Sequence, residues 1–218
     1  MQRNDVIQRL GQAAPGIRSA PGTTVPQPFD TGAEGQRGDH DLNPGMHPDR
    51  ALTAAAVLVP LIERPGGMTV LLTKRTDHLH DHAGQVSFPG GRVDPEDRDA
   101  AAAALREARE EVGLDPDRVD LIGRLDTYVT RTGFEVVPWV GLVMPPIALT
   151  PDPFEVAEVF EVPLAFFLDP ASRRTESRVW QGKERFFYVY PWHSYHIWGA
   201  TAGMLSNLAE VLGDRLAT

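Results

Sequence analysis

Between Phe88 and Leu114 the chain reads FPGGRVDPEDRDAAAAALREAREEVGL, and no other stretch restricts the fold as much. It is a glycine turn, an acidic loop, one helix and a glycine stop. Ala101, Ala104, Leu105, Ala108 and Val112 recur at three- and four-residue steps, which lays one apolar stripe along a helix. Asp97 or Asp99 can cap its start by accepting a backbone N–H. Gly113 can take the left-handed position that ends it, with Leu114 folding back on the last turn.

The opposite face carries the chemistry. At about 100° per residue, Glu107, Glu110 and Glu111 fall within roughly a third of the helix circumference. Glu107 and Glu111 are four apart, a like-charge spacing that costs a few tenths of a kcal/mol on an exposed helix. Three carboxylates gathered in this way suit a hard divalent cation such as Mg²⁺ or Mn²⁺. The same pattern also describes a solvated acidic face softened by Arg106 and Arg109, with Arg106 pairing to Glu110.

The flanking residues extend the pattern. Gly91, five residues, the acid Asp97, and then Arg106, Glu107, Ala108, Glu110, Glu111, Gly113 and Leu114 resemble the Nudix box. In this chain the first acid is Asp97 rather than Glu, and the gap to Arg106 is one residue longer than the general pattern. Both departures resemble the coenzyme A pyrophosphatase branch of that family. A second run, LLTKRTDHLHDHAGQVSFPGG from Leu71 to Gly91, resembles that branch's extra signature. Leu71, Leu72, Thr73, Arg75, Gly84, Phe88, Pro89, Gly90 and Gly91 match it. Thr76 replaces the usual Ser or Ala, and His80 replaces an Arg, which removes a permanent fork-shaped cation.

The chemistry of this second run suits an anionic ligand. Gly84, Gly90 and Gly91 let a backbone approach closely. Lys74, Arg75 and the histidines His78, His80 and His82 are candidate partners for phosphate oxygens, although strand ends and loops carry such residues for ordinary reasons too. Phe88 completes the expected substrate-binding set of Lys74, Arg75, His80, Gly84, Phe88, Gly90 and Gly91.

Composition narrows the remaining possibilities. A formal net charge of −9 argues against a broad nucleic-acid grip. Zero cysteines exclude disulfides, thiolate metal sites and a cysteine nucleophile, and they are compatible with a cytoplasmic location. No window approaches the roughly 18 apolar residues of a membrane helix, and the first residues have no apolar signal core.

Residues 1–50 are expected to form an arm, partly irregular or disordered from Ala14 to Pro48, with a short helix from Asn4 to Leu10. The arm can pack on the domain or on a second copy, so a homodimer is one expectation. Residues 51–218 are expected to form one α/β domain. Strands are predicted at Ala54–Ile62 and Met68–Thr73 as a hairpin, near Val119–Val129, at Phe134–Val143 and at Val156–Val162. Pro138 suggests an edge or a bulge. A second hairpin joins Arg178–Trp180 to Arg185–Tyr190, and a helix covers Thr201–Leu212. Strands with helices on both sides suggest an α/β/α sandwich, and the Nudix resemblance implies the same layout with a mixed central sheet.

The resemblance covers roughly Ala51 to Leu212. It implies Mg²⁺ or Mn²⁺ at Glu107, Glu110 and Glu111, with Arg106 orienting these carboxylates. Glu155 is the expected additional metal-binding or base carboxylate, with Glu158 as its alternate. Phe134 and Trp139 can stack on a base or fill core. The reaction it implies is hydrolysis of the pyrophosphate of coenzyme A or its thioesters. The alternatives are another nucleoside diphosphate derivative, such as ADP-ribose, NADH or a damaged nucleotide, and a non-catalytic binding module.

Overall fold

The computed structural model describes residues 1–13, 35–78, 82–180 and 182–213. The elements begin with α1 (Arg3–Ala13), β1 (Gln36–Gly38), β2 (Thr53–Arg64), β3 (Gly67–Arg75), β4 (Val86–Ser87) and β5 (Gly90–Arg92). There follow α2 (Ala100–Val112), β6 (Val119–Arg124), β7 (Thr127–Val129), β8 (Phe134–Val143), β9 (Val156–Pro163) and α3 (Leu164–Leu168). The chain continues through β10 (Arg174–Trp180), β11 (Lys183–Trp192), β12 (Tyr195–Trp198) and α4 (Gly199–Leu212).

Among the described residues, β1 to β9 form one mixed sheet and β10 to β12 a separate antiparallel one. The centre of the large sheet is β2, which runs parallel to β8 from Thr53–Phe134 to Ile62–Val143 and antiparallel to β3 through the Pro65-Gly66 turn. Its apolar run divides by the two-residue period of a strand. Ala56, Leu58 and Ile62 face one core with Ala104, Ala108 and Val112 of α2. Ala55, Val59 and Leu61 face the other with Leu205, Leu208 and Leu212 of α4. A strand buried on both faces has to read as continuously apolar, and β2 does. The result is the expected α/β/α sandwich.

Several details differ from the expectation. The Val119–Val129 strand is two strands, β6 and β7, which pair with successive parts of β8. Pro138 lies in an interior strand, not at an edge. It sits between the two paired parts, where its carbonyl accepts the Leu125 N–H at 2.9 Å and its missing N–H leaves no gap in a ladder. The register of β6 on β8 shifts between Leu121 and Gly123. The short helix α3 and strand β12 give no separate signal in the sequence.

The described parts of the first fifty residues pack on the domain. Val6 and Leu10 of α1 are fully buried in the α4-side core, and β1 extends the large sheet parallel to β7. The stretch from 14 to 34, the middle of the expected arm, lies outside the described residues. Leu10→Ala should cost about 2–5 kcal/mol of unfolding free energy, the usual range for emptying a buried leucine site. Urea denaturation followed by circular dichroism measures it, and an unchanged midpoint would mean that α1 is not part of the cooperative unit.

Candidate active site

The site is built on α2. Asp99 caps it, its carboxylate accepting the Ala102 N–H at 2.8 Å. Gly113 ends it at φ 69°, ψ 20°, in the left-handed region, and the Leu114 N–H returns to the Ala108 carbonyl. Asp97 therefore does not cap the helix. It receives a two-pronged contact from Arg106, with Nε to Oδ1 at 3.0 Å and Nη2 to Oδ2 at 2.9 Å. The same guanidinium donates from Nη1 to Glu107 and to Glu110, each at 3.0 Å, and from Nη2 to the Arg92 carbonyl at 3.1 Å. These hydrogen bonds hold the Asp97 carboxyl below the usual carboxylate range. Every donor of Arg106 is occupied, and the one guanidinium ties together the carboxylates of Asp97, Glu107 and Glu110.

The helix carboxylates differ in surroundings. Glu110 is exposed, with 59% of its side chain accessible. Glu107 is half-buried, and desolvation raises its pKa against the opposing pull of Arg106. Glu111 is only 5% accessible. Burial pushes its pKa up to about 7, with the Gly90 N–H and Arg75 working in the other direction. Repulsion from Glu107 and from Glu155 adds to the rise. Glu155, in the turn before β9, thus shares the site with the helix acids. Glu158 does not share it: its carboxylate accepts a hydrogen bond from the Tyr195 hydroxyl on the opposite face of the sheet.

Arg75 joins the two elements. Its Nη1 lies 3.6 Å from Glu111 and its Nη2 lies 3.9 Å from Glu155, while its Nε is buried without a hydrogen-bond partner. Gly90 and Gly91 also serve the carboxylates. The Gly90 N–H donates to Glu111 at 3.2 Å. At φ 155° a Cβ on Gly90 would strike the Ala56 carbonyl of β2, and a Cβ on Gly91 would lie 2.5 Å from the Glu107 carboxyl carbon. Their close approaches are to β2 and Glu107.

Two expected substrate contacts sit elsewhere, Gly84 lies in the loop whose next residue, Gln85, accepts the Arg75 N–H at 2.9 Å, and one cannot be placed. Phe88 is 2% exposed in the α4-side core, because its ring lies among Val86, Leu72 and their neighbours. Lys74 leaves β3 on the face opposite Arg75 by strand alternation, in register with Glu158. Gly84 closes a loop turn at φ 68°, where a Cβ would sit 2.8 Å from Asp77. His80 lies outside the described residues.

Two contributors escaped the sequence reading. Thr76 accounts for itself: its N–H donates to the Glu155 carbonyl at 3.0 Å and its hydroxyl to the Phe154 carbonyl at 2.8 Å, so it fixes the turn that presents Glu155. The signal was the departure from Ser or Ala, since Ala lacks that hydroxyl. Arg92 was the other; its guanidinium lies 5.6 Å from the centre of the Phe134 ring, beside the Gly91 end of the site.

The donor set suits a divalent cation. It is all carboxylate oxygen, partly desolvated and mutually repelling, as hard ions require. Among the described residues, however, no three Asp, Glu or His side chains converge closely enough to hold one ion. Glu107 and Glu110 turn onto Arg106, and Glu111 turns onto Gly90, so the expected trio is not preassembled.

Residues 52–186 match the family model described as the NUDIX domain. The chain is 44% identical over 170 residues to a protein of Cronobacter sakazakii named as the uncharacterized Nudix hydrolase NudL, covering 74% of this chain and 83% of that one. It is 39% identical over 168 residues to the mitochondrial Nudix hydrolase 15 of Arabidopsis thaliana, covering 74% of this chain but only 59% of the plant protein's length. Among solved structures, the NUDIX domain of Shewanella oneidensis NrtR complexed with ADP ribose superposes with a TM-score of 0.44 at 22% identity, over 53% of this chain and 75% of that one.

An acid with its pKa near 7 must lose its proton before it can ligate. Mn²⁺ binding should therefore weaken as pH falls below about 7 and release a proton there, and Glu111→Gln should remove that proton release. Calorimetry in buffers of different ionisation enthalpy measures it. A proton count independent of pH in the parent protein would contradict the assignment.

Proposed function

Because the chain belongs to the Nudix family of hydrolases, whose members generally use divalent ions, we propose that it is a cytoplasmic Mg²⁺- or Mn²⁺-dependent pyrophosphohydrolase acting on coenzyme A or its acyl thioesters. The products are 3′,5′-ADP and 4′-phosphopantetheine or its acyl form, with one water consumed across the pyrophosphate. Among the described residues no helix is long and apolar enough to cross a membrane.

The observation that carries the reading is a fully engaged Arg106 beside Glu107 and Glu111, two acids that remain desolvated and repel each other. Such an arrangement is costly unless cations complete it. Glu107, Glu110 and Glu111 would hold the divalent ions. When bound, those ions would neutralise the diphosphate and make water more acidic. Glu155 is 43% accessible and stands across from Glu111, which suits it to take the proton of the attacking water. The half-buried Arg75, with one donor unused, can turn that donor to a phosphate oxygen.

The choice of coenzyme A rests on the Leu71–Gly91 run. Its described residues include the end of β3, all of β4 and the start of β5, and they bring Arg75 and Gly90 to α2. The replacement at His80 keeps a second reading in view, a Nudix enzyme for another nucleoside diphosphate derivative such as ADP-ribose or NADH. The purified chain, incubated with coenzyme A and Mg²⁺ or Mn²⁺, should release 3′,5′-ADP. Absence of that product, with turnover of ADP-ribose or NADH in a parallel panel, would transfer the assignment to the second reading. Glu110→Gln and Glu111→Gln should each lower kcat by at least about 100-fold, the scale of losing a charge-stabilising group, while the fold survives by circular dichroism. Full activity in both would remove the role given to α2.

A further inference from the structure

The small sheet ends in a strand that nothing in the described chain covers. All seven residues of β10, from Arg174 to Trp180, are exposed, and β10 is the outer strand of its sheet. Val179 is 69% accessible, Trp180 49% and, on the neighbouring β11, Phe186 42%. An edge of this length with apolar side chains is a template for another strand.

Its main-chain polarity can be worked out from one residue. The Phe186 N–H donates to the Asn43 side chain at 2.9 Å, and the Asn43 amide donates back to the Phe186 carbonyl at 2.8 Å. The polar groups of Phe186 therefore point away from β10. Phe186 is in register with Ser177, so the two form a non-hydrogen-bonded antiparallel pair, and the N–H and C=O of Ser177 point to the free edge. By the two-residue period, those of Thr175 and Val179 do the same.

The sequence of β10, RTESRVW, is complementary to itself about its central Ser177. Antiparallel pairing with a second β10 sets Ser177 opposite Ser177 and Thr175 opposite Val179, all with outward main-chain groups able to exchange hydrogen bonds. It sets Glu176 opposite Arg178 twice and Arg174 opposite Trp180 twice, an ion pair and a cation–π pair of the kinds that favour cross-strand register. Within the single chain Glu176 has only a long approach, 3.9 Å, to His196 Nε2. Arg178 stands across from another cation, Arg185 of β11, and one face of Trp180 is taken by Arg131, 5.8 Å from its ring centre.

We propose that two copies of this chain associate across a two-fold axis through Ser177, joining their small sheets into one six-stranded antiparallel sheet. The occupant of the edge is a second copy because the complementarity is to the same strand in reverse, as a two-fold interface requires. The inference is independent of the catalytic reading.

Sedimentation equilibrium on the full chain tests it. The parent protein should sediment as a dimer of the 23.9 kDa chain. Ser177→Pro removes an outward N–H and no hydrogen bond to β11, so it should halve the mass and leave the hairpin paired. Glu176→Arg alone and Arg178→Glu alone place like charges opposite one another twice and should also give monomers. The double swap E176R/R178E restores opposite charges and should restore the dimer. A monomeric parent protein, a dimeric Ser177→Pro variant, dimeric single reversals or a monomeric double swap would each overturn the proposal.

Discussion

The fork of Arg106 is the contact on which the site depends. One planar guanidinium reaches Asp97 and the Arg92 carbonyl in the loop, and Glu107 and Glu110 on its own helix. It thereby fixes the loop after β5 against α2, and it offsets part of the repulsion that three acids within about one and a half turns would otherwise create. A lysine could satisfy one of these acceptors but has no planar fork to span them. The hydrogen bonds and opposite charges around Arg106 raise its own pKa further above an already high value, so this cation is permanent at any working pH.

The rest of the site follows from what that helix faces. Glu111 points inward, toward β5 and β3, and is desolvated there. It is tolerable because Gly90 donates a main-chain N–H and Arg75 lies close by. Both partners arrive through the sheet: β3 carries Arg75, and β5 carries Gly90 across β2 at a separation no side chain would permit. Glu155 comes from a third element, the turn tied to β3 by Thr76. One buried acid, a more exposed one, a half-buried arginine and two crowded glycines are thus parts of one electrostatic arrangement, and the sandwich locally holds it.

Much of this was legible in the sequence where local rules act. The helix, its Asp99 cap, its Gly113 stop and the acidic face follow from a 3.6-residue period and from backbone preferences that need no distant partner. The paired strands β2 and β3 followed from apolar runs around a glycine turn. What was not legible depends on which face of a strand a residue takes. Lys74 and Arg75 are adjacent and both basic, yet alternation sends them to opposite sides of the sheet. Phe88 sits inside a glycine-rich motif that suggests a ligand, yet two residues before Gly90 its ring drops into the core. The glycines read as room for a substrate, but the space they leave is filled by Ala56 and Glu107. Composition also gives no sign of β1, which is only three residues of polar sequence, Gln36–Gly38, and pairs with β7 through main-chain groups that no side-chain pattern reveals.

Those three residues lead into a set of contacts that link the small sheet to α4 and to the turn between β7 and β8. Arg37 pairs with Asp126 and Glu210, spanning β7's approach and α4. Asp39 accepts the Tyr128 hydroxyl at 2.8 Å and the Arg131 N–H at 2.8 Å, and burial beside that carboxylate holds the phenol in its neutral, donating form. Asn43 grips both polar groups of Phe186 where β12 is too short to reach. Arg50 donates to the Thr132 carbonyl. The turn from Thr130 to Gly133 is therefore anchored on one side by the arm and leads on the other into Phe134, which lies beneath Arg92 next to Gly91. A segment with almost no apolar content holds its place here because Asp39, Asn43 and Arg50 bond main-chain groups of Arg131, Phe186 and Thr132, and leaving such a group buried and unsatisfied would cost about 1–3 kcal/mol.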